Sequence, residues 1–255
     1  MARFSGILLC SDFDGTLSCK EGIPQKNIDA IKYFCDNGGT FSVISGRGYD
    51  FFEKYADDLR LDSYIGCING AMIYHRPTGK LIRRSFVHED AGERLKRLLA
   101  LMDNASQVDV FDETGKDTSV KLSEECALEK ILQLMSVPVC KMIVRSAEAF
   151  ADEDVDFVKR EFCDGYHVSR SWKFGIEIQN ADSNKGIAAR YIAQLTGAKT
   201  LVCVGDYEND ISLLQAADIS YAVEGALPKL AAVAHRTTVR ASEGAIAAII
   251  SDLDN

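Results

Sequence analysis

The apolar run Ile7-Leu8-Leu9-Cys10 leads straight into Ser11-Asp12-Phe13-Asp14-Gly15, and this junction constrains the fold more than any other stretch. An apolar run bounded by a glycine turn reads as a buried strand of a parallel sheet. In open α/β sheets ligands sit beyond the carboxyl ends of such strands, so Asp12 and Asp14 arrive where chemistry is usually done. Two carboxylates this close repel each other, and one takes up a proton unless a cation joins them. The junction therefore predicts a metal-dependent enzyme. A calcium-binding EF-hand is excluded, because its loop wants glycine at the sixth position and glutamate at the twelfth. Counted from Asp12, Gly15 is fourth and Ile23 twelfth.

The rhythm that follows extends the sheet. Pro24-Gln25 opens a helical pattern through Ile28, Ile31 and Phe34 that ends at Asn37-Gly38-Gly39, with proline at the start and glycine past the end. Thr40–Ser45 reads as a second strand closed by Gly46-Arg47-Gly48, and a helix through Phe51, Phe52 and Tyr55 leads to a third strand, Tyr64–Ile68, closed by Asn69-Gly70-Ala71. Strand and helix in alternation predict a parallel, doubly wound sheet. Between Ile82 and Gln179 the pattern changes. Three amphipathic helices, around Leu95, Ile131 and Val158, are interleaved with strands around Val110, Val120, Ile143, Val168 and Ile178. That pattern predicts an α+β sheet with helices on one side and its other face open, inserted as a second domain. The first rhythm then resumes, with a helix over Lys185–Leu195, a strand Thr200–Val204, a short helix Asn209–Ala217, a strand Ile219–Val223 and a closing helix Ala245–Leu253.

Composition narrows the function. A chain of 255 residues buries a sizeable core, and a formal net charge of -9 argues against a general nucleic-acid binder, which needs a basic face. It leaves anionic small substrates open, since a bound divalent cation inverts the local field. The eight cysteines include no Cys-x-x-Cys pair, so a zinc knuckle or redox motif is not expected. No apolar stretch approaches the roughly 20 residues that span a bilayer, and no signal peptide precedes the first strand, so a cytoplasmic location is expected.

Four constellations fall after strands or at a helix start: Asp12/Asp14, Ser45-Gly46-Arg47, Lys185, and Asp206 with Asn209-Asp210. Each alone has an ordinary reading. An Asp-x-Asp turn is common turn chemistry, Ser45 and Gly205-Asp206 can cap helices, and a lone lysine is usually solvated. Ser45 with backbone N–H groups at a helix start is also a natural phosphate cradle. Joint placement at one sheet edge is what favours a site.

These motifs carry a family resemblance. In order along the chain, Ser11–Leu17, Val43–Arg47, Asn184-Lys185-Gly186 and Gly205–Asp210 resemble the four motifs of haloacid dehalogenase (HAD) superfamily phosphatases. Ile68-Asn69-Gly70-Ala71 is similar to the segment before the cap in the Cof-type branch, subclass IIB. A departure is Glu224-Gly225-Ala226, where relatives often have Gly-Asn-Ala. The resemblance implies an α/β fold: a Rossmann-like parallel-sheet core over residues 1–81 and 183–255, with an inserted α+β cap of type C2B over 82–182.

The resemblance also implies a chemistry. Asp12 is the expected nucleophile, forming an aspartyl phosphate, and Asp14 the general acid and base. Mg²⁺ is the expected cofactor, held by Asp12, the backbone carbonyl of Asp14, and Asp206, with Asp210 either a ligand or the orienter of a metal-bound water. Ser45, Gly46, Lys185 and Asn209 are expected at the transferring phosphoryl group, while Arg47 is open between substrate, cap and a structural salt bridge. In the cap, Lys141, Arg170, Trp172 and Lys173 are candidate selectors of the leaving group, though packing or surface is the plainer reading for each, and Trp172 is expected in the cap core. The implied activity is hydrolysis of small cytosolic phosphomonoesters, sugar phosphates foremost, with a phosphomutase using the same nucleophile as the alternative. The partners expected are a small phosphorylated metabolite and neither nucleic acid nor membrane, in a monomer or weak homodimer.

Overall fold

Leu8, Leu9 and Cys10 are all buried in strand β1 (Ile7–Ser11), as an apolar run flanked on both faces requires. The computed structural model describes residues 2–254 and divides into two units: residues up to Ile82 with those from Lys185 on, and Arg83–Asn184. The first unit continues with α1 (Gln25–Asp36), β2 (Thr40–Val43), β3 (Tyr64–Cys67), β4 (Met72–His75) and β5 (Lys80–Arg84), which crosses the boundary. The second holds α2 (Ala91–Leu99), β6 (Gln107–Asp112), β7 (Asp117–Lys121), α3 (Ala127–Leu134), β8 (Val139–Arg145), α4 (Asp152–Glu161), β9 (Tyr166–Trp172) and β10 (Gly175–Asn180). The chain then returns to the first unit with α5 (Lys185–Thr196), β11 (Thr200–Gly205), α6 (Ile211–Ala216), β12 (Ile219–Val223), α7 (Pro228–Ala231), β13 (Arg236–Thr238) and α8 (Ala245–Asp254).

The first unit is built on a five-stranded parallel sheet in the order β13-β12-β11-β1-β2. Leu8, Cys10, Leu201 and Cys203 on one face pack with Ala188, Ala189 and Ile192 of α5 and Leu213 and Leu214 of α6. Strand alternation turns Leu9 and Val202 to the opposite face. Fully burying side chains of this size contributes about 1.5–3 kcal/mol each. The register sets Ser11 beside Val204, so the carboxyl ends of β1 and β11 lie next to each other.

Two local expectations change. Tyr64–Cys67 does not run as a full third parallel strand: it pairs antiparallel with β4 and meets the β2 extension through one parallel bridge, Ile44 to Gly66. A Cβ on Gly66 would come within 2.9 Å of the Ile44 side chain, so glycine permits that approach. The segment around Phe51 is a short 3₁₀ helix, Tyr49–Tyr55, whose rings close on Phe13 with centroids 5.3 Å (Phe51), 5.5 Å (Phe52) and 5.3 Å (Tyr55) away. The sequence pattern does not single out strands β4, β5 and β13 or helix α7; β13 and α7, three and four residues long, are too short to show a period.

The second unit is a five-stranded antiparallel sheet, β7-β6-β8-β10-β9. Leu95, Ile131 and Val158 from its three helices share one core with Val108, Val110, Met142, Val144, Ile176 and Ile178. The alternate residues of these strands carry polar chemistry. Lys141 Nζ pairs with Glu177 Oε1 at 3.0 Å, both side chains almost fully buried, and Ser171 Oγ donates to Glu177 at 2.7 Å. Lys141 is thus no surface lysine. Arg170 is paired with Asp152 at 2.7 Å, and Lys173 lies over the Phe174 ring. Trp172 is outside the helix-backed core, half-buried under the Arg145 guanidinium 5.0 Å away, because its position ends an outer strand.

Helices α5 and α6 approach closely at Gly186, where a Cβ would stand 2.2 Å from the Ser212 carbonyl oxygen. Backbone cannot yield as a flexible side chain does. Gly186→Ala is expected to destabilise the protein by about 1–3 kcal/mol. Urea unfolding should record this as a lower midpoint with an unchanged slope.

Candidate active site

Asp12 is the first residue past β1. Its N–H donates to the Val204 carbonyl at 3.0 Å, extending the parallel ladder and delivering the side chain beside Gly205-Asp206. The chain then turns sharply: the Ser18 N–H and Oγ both donate to the Phe13 carbonyl, at 2.8 and 2.9 Å, and the Gly15 N–H donates to Ser18. Gly15 has φ +88°, and a Cβ there would stand 2.6 Å from Asp206 Oδ2. Only glycine fits both demands. Thr16 Oγ1, one residue on, donates to Asp206 Oδ1 at 2.9 Å and ties the turn to the loop after β11.

Lys185, at the start of α5, reaches into this edge with 1% of its surface exposed. Its Nζ donates to Asp12 Oδ1 and Asp210 Oδ1, each at 2.6 Å. The other oxygen of Asp210 accepts the N–H groups of Asp206 (3.1 Å) and Tyr207 (3.2 Å), fixing the carboxylate in its own loop. Carboxylate oxygens of Asp12, Asp206 and Asp210 all lie within 4.8 Å of one another.

Asp12 and Asp206, drawn out of water beside other acids, hold on to protons. Burial pushes the Asp12 carboxyl well above the usual carboxylate range, Lys185 opposes the shift, and Asp210 and Asp206 reinforce it. Asp206 is raised to about 6, first by burial and then by Asp210. Lys185 is raised too: burial works against its charge, but Asp12 and Asp210 outweigh it. The donor set is hard oxygen with an excess of negative charge, which fits a small divalent cation such as Mg²⁺ or Mn²⁺.

Asp14 stands apart from the three carboxylates. Half-exposed, it is held by Arg47 through a two-pronged contact, Nε to Oδ2 at 2.9 Å and a terminal nitrogen to Oδ1 at 3.0 Å, and that guanidinium lies 4.9 Å over the Phe51 ring. Ser45 is buried, and its Oγ accepts the Arg47 N–H at 3.3 Å across Gly46, while its own N–H donates to Gly66. Asn209 Nδ2 donates to Asn69 Oδ1 at 3.3 Å. Asp12, Asp206, Asp210 and Lys185 therefore form one cluster, and Arg47 joins Asp14. Asn69 entered the sequence reading only as part of a flanking segment. The signal available was its Asn-Gly pair directly after a strand, which ordinarily marks a turn.

Comparison with known proteins agrees with this architecture. Residues 9–250 match the family model of haloacid dehalogenase-like hydrolases, and the chain belongs to that family. It is 24% identical over 266 residues to the phosphatase homologue YxeH of Bacillus subtilis, covering 96% of this chain and 97% of that one. The 5-amino-6-(5-phospho-D-ribitylamino)uracil phosphatase YwtE of the same bacterium is 25% identical over 277 residues, covering 95% and 96%. A solved HAD subclass IIB sugar phosphatase superposes with a TM-score of 0.80 at 18% identity, covering 96% of this chain and 98% of that one. The fold is a Rossmann-like HAD core with an inserted α+β cap, and the protein is an enzyme of the phosphatase class.

A carboxyl raised in the folded state favours the protonated native protein. The Asp206 contribution is therefore fully present below its ordinary value of 3.8 and is lost as pH rises through about 6. With divalent cations removed by EDTA, the melting temperature is expected to fall across that interval, and Asp206→Asn should flatten the fall. Thermal unfolding of both proteins at a series of pH values measures it.

Proposed function

We propose that the protein is a Mg²⁺-dependent phosphomonoester hydrolase of small metabolites, with sugar phosphates the leading class, working through an aspartyl phosphate on Asp12. The observation that carries this reading is the gathering of Asp12, Asp206 and Asp210 at the carboxyl ends of β1 and β11, with Lys185 bonded to Asp12 and Asp210. Asp12, Asp206 and Asp210, with the Asp14 carbonyl, would hold the cation. Bound there, Mg²⁺ offsets the repulsion between a carboxylate nucleophile and a phosphate dianion.

In the first step an Asp12 oxygen forms a bond to phosphorus as the bond from phosphorus to the leaving oxygen breaks. Asp14 gives its proton to that oxygen, and the alcohol departs. In the second step a water oxygen bonds to phosphorus, Asp14 takes the water's proton, and the bond to Asp12 breaks to release phosphate. Lys185 keeps Asp12 aimed and places a positive charge beside the reacting group. Ser45, the Gly46 amide and Asn209 bind phosphoryl oxygens, whose charge is spread in the transition state. Between the two steps Arg47 holds the Asp14 carboxylate by both oxygens.

The relatives' names support a polyhydroxylated leaving group: one acts on a ribityl phosphate and one structural neighbour is a sugar phosphatase. All eight cysteines are free thiols, which supports a reducing, cytoplasmic setting. Asp12→Asn, which leaves Lys185 paired with Asp210, is expected to lower kcat by at least about a thousandfold while the fold is retained, as circular dichroism checks. EDTA should abolish turnover and Mg²⁺ restore it. A panel of phosphorylated metabolites assayed for free phosphate tests the class. Isomer formation without phosphate release would instead identify a mutase.

A further inference from the structure

Ile68, Asn69 and Gly70 have consecutive positive φ angles of +51°, +53° and +93°. A β-branched residue in that region is costly, and any residue but glycine stays there only where its surroundings hold it. Three hydrogen bonds do so. The Ile68 N–H donates to the Arg47 carbonyl at 3.0 Å, the Asn69 N–H to the Ser45 carbonyl at 2.8 Å, and the Ala71 N–H to Ile68 at 3.1 Å. The turn thus grips the chain on both sides of Gly46.

The Asn69 side chain extends the grip. It is 2% exposed, and its Oδ1 accepts from the Asn209 carboxamide, a residue 140 positions away in a different loop. Glycine would adopt this backbone with less strain. The turn alone therefore does not call for an asparagine, whereas the bond to Asn209 does.

We infer that Asn69 is a positioning residue for phosphoryl binding. It acts through its neighbours: the backbone N–H sets the Ser45-Gly46-Arg47 loop, and the carboxamide sets Asn209, so groups from two distant loops meet the phosphoryl oxygens in fixed register. The inference rests on the phosphatase reading above and adds to it a residue with no direct contact to the substrate.

The test uses Asn69→Gly, Asn209→Ala and the double variant, with p-nitrophenyl phosphate as substrate, saturating Mg²⁺, and inorganic phosphate as competitive inhibitor. Asn69→Gly keeps the turn and removes the carboxamide. Its melting temperature should stay within a few degrees of the parent, while KM and the phosphate inhibition constant rise about fivefold to tenfold, the worth of one net hydrogen bond. The double variant should be no weaker than Asn209→Ala, because both changes remove one interaction. Unchanged phosphate inhibition in Asn69→Gly overturns the inference, as does a double variant whose loss is the product of the two single losses. If Asn69→Gly fails to fold, Asn69→Asp and Asn69→Ala replace it. Aspartate keeps the accepting oxygen and tolerates the left-handed backbone, so phosphate inhibition should be nearer the parent's with Asp than with Ala; equal losses overturn the inference. A parent protein that releases phosphate from no substrate sinks the hydrolase reading itself, whereas an active parent with an indifferent Asn69 sinks this inference alone.

Discussion

The contact between Lys185 and the two carboxylates of Asp12 and Asp210 is the interaction on which the rest of the structure depends. An ammonium taken out of water is tolerated only with charged partners at close range, and breaking such a set typically costs about 3–5 kcal/mol. Lys185 meets that condition with two bonds of 2.6 Å. The same geometry creates the chemistry. Asp206 lies beside this set, Asp12 and Asp206 hold protons more tightly than ordinary carboxylates, and the three carboxylates together could hold a divalent cation. Perturbed carboxyl groups gathered at one sheet edge are what marks this place as a candidate site.

Backbone shape supports that cluster where side chains would be in the way. Gly15 lets the turn after Asp12 pass against Asp206, and Gly205 lets the next loop fold its Asp210 back, since a Cβ there would stand 2.4 Å from the Asp210 Cβ. Phe13, between the two acidic residues of the turn, is gripped by three rings, so Asp12 and Asp14 are separated by an anchor. One carboxylate goes inward to the lysine and the other outward to Arg47. A single turn thereby holds two acids in different environments, which is how two carboxyl groups acquire different roles.

Much of this was legible in the chain. The run Ile7–Cys10, the glycine after Asp14 and the strand–helix alternation marked a parallel sheet with acids at its edge, because hydrophobic period and turn chemistry are local properties. The helices at Ala91–Leu99 and Asp152–Glu161 were visible for the same reason. The path of Tyr64–Cys67 was not. A strand signal does not state which neighbour it pairs with, and here the left-handed turn at Ile68-Asn69-Gly70 sends the chain back on itself. The burial of Lys141 was not legible for a related reason. A lysine in an amphipathic strand reads as solvated, and only the arrival of Glu177 from another strand makes its burial tolerable.

The amino-acid sequence by itself determined the longer, periodic elements, their order and the acidic character of the site, since each is written in residues a few positions apart. Tertiary structure decided which acids share a base, that Arg47 belongs to Asp14, and that Asn69 and Asn209 meet. Those pairings join residues up to 173 positions apart, as Asp12 and Lys185 are. Their energies come from distance and exclusion of water, and neither exists until the strands have taken their register.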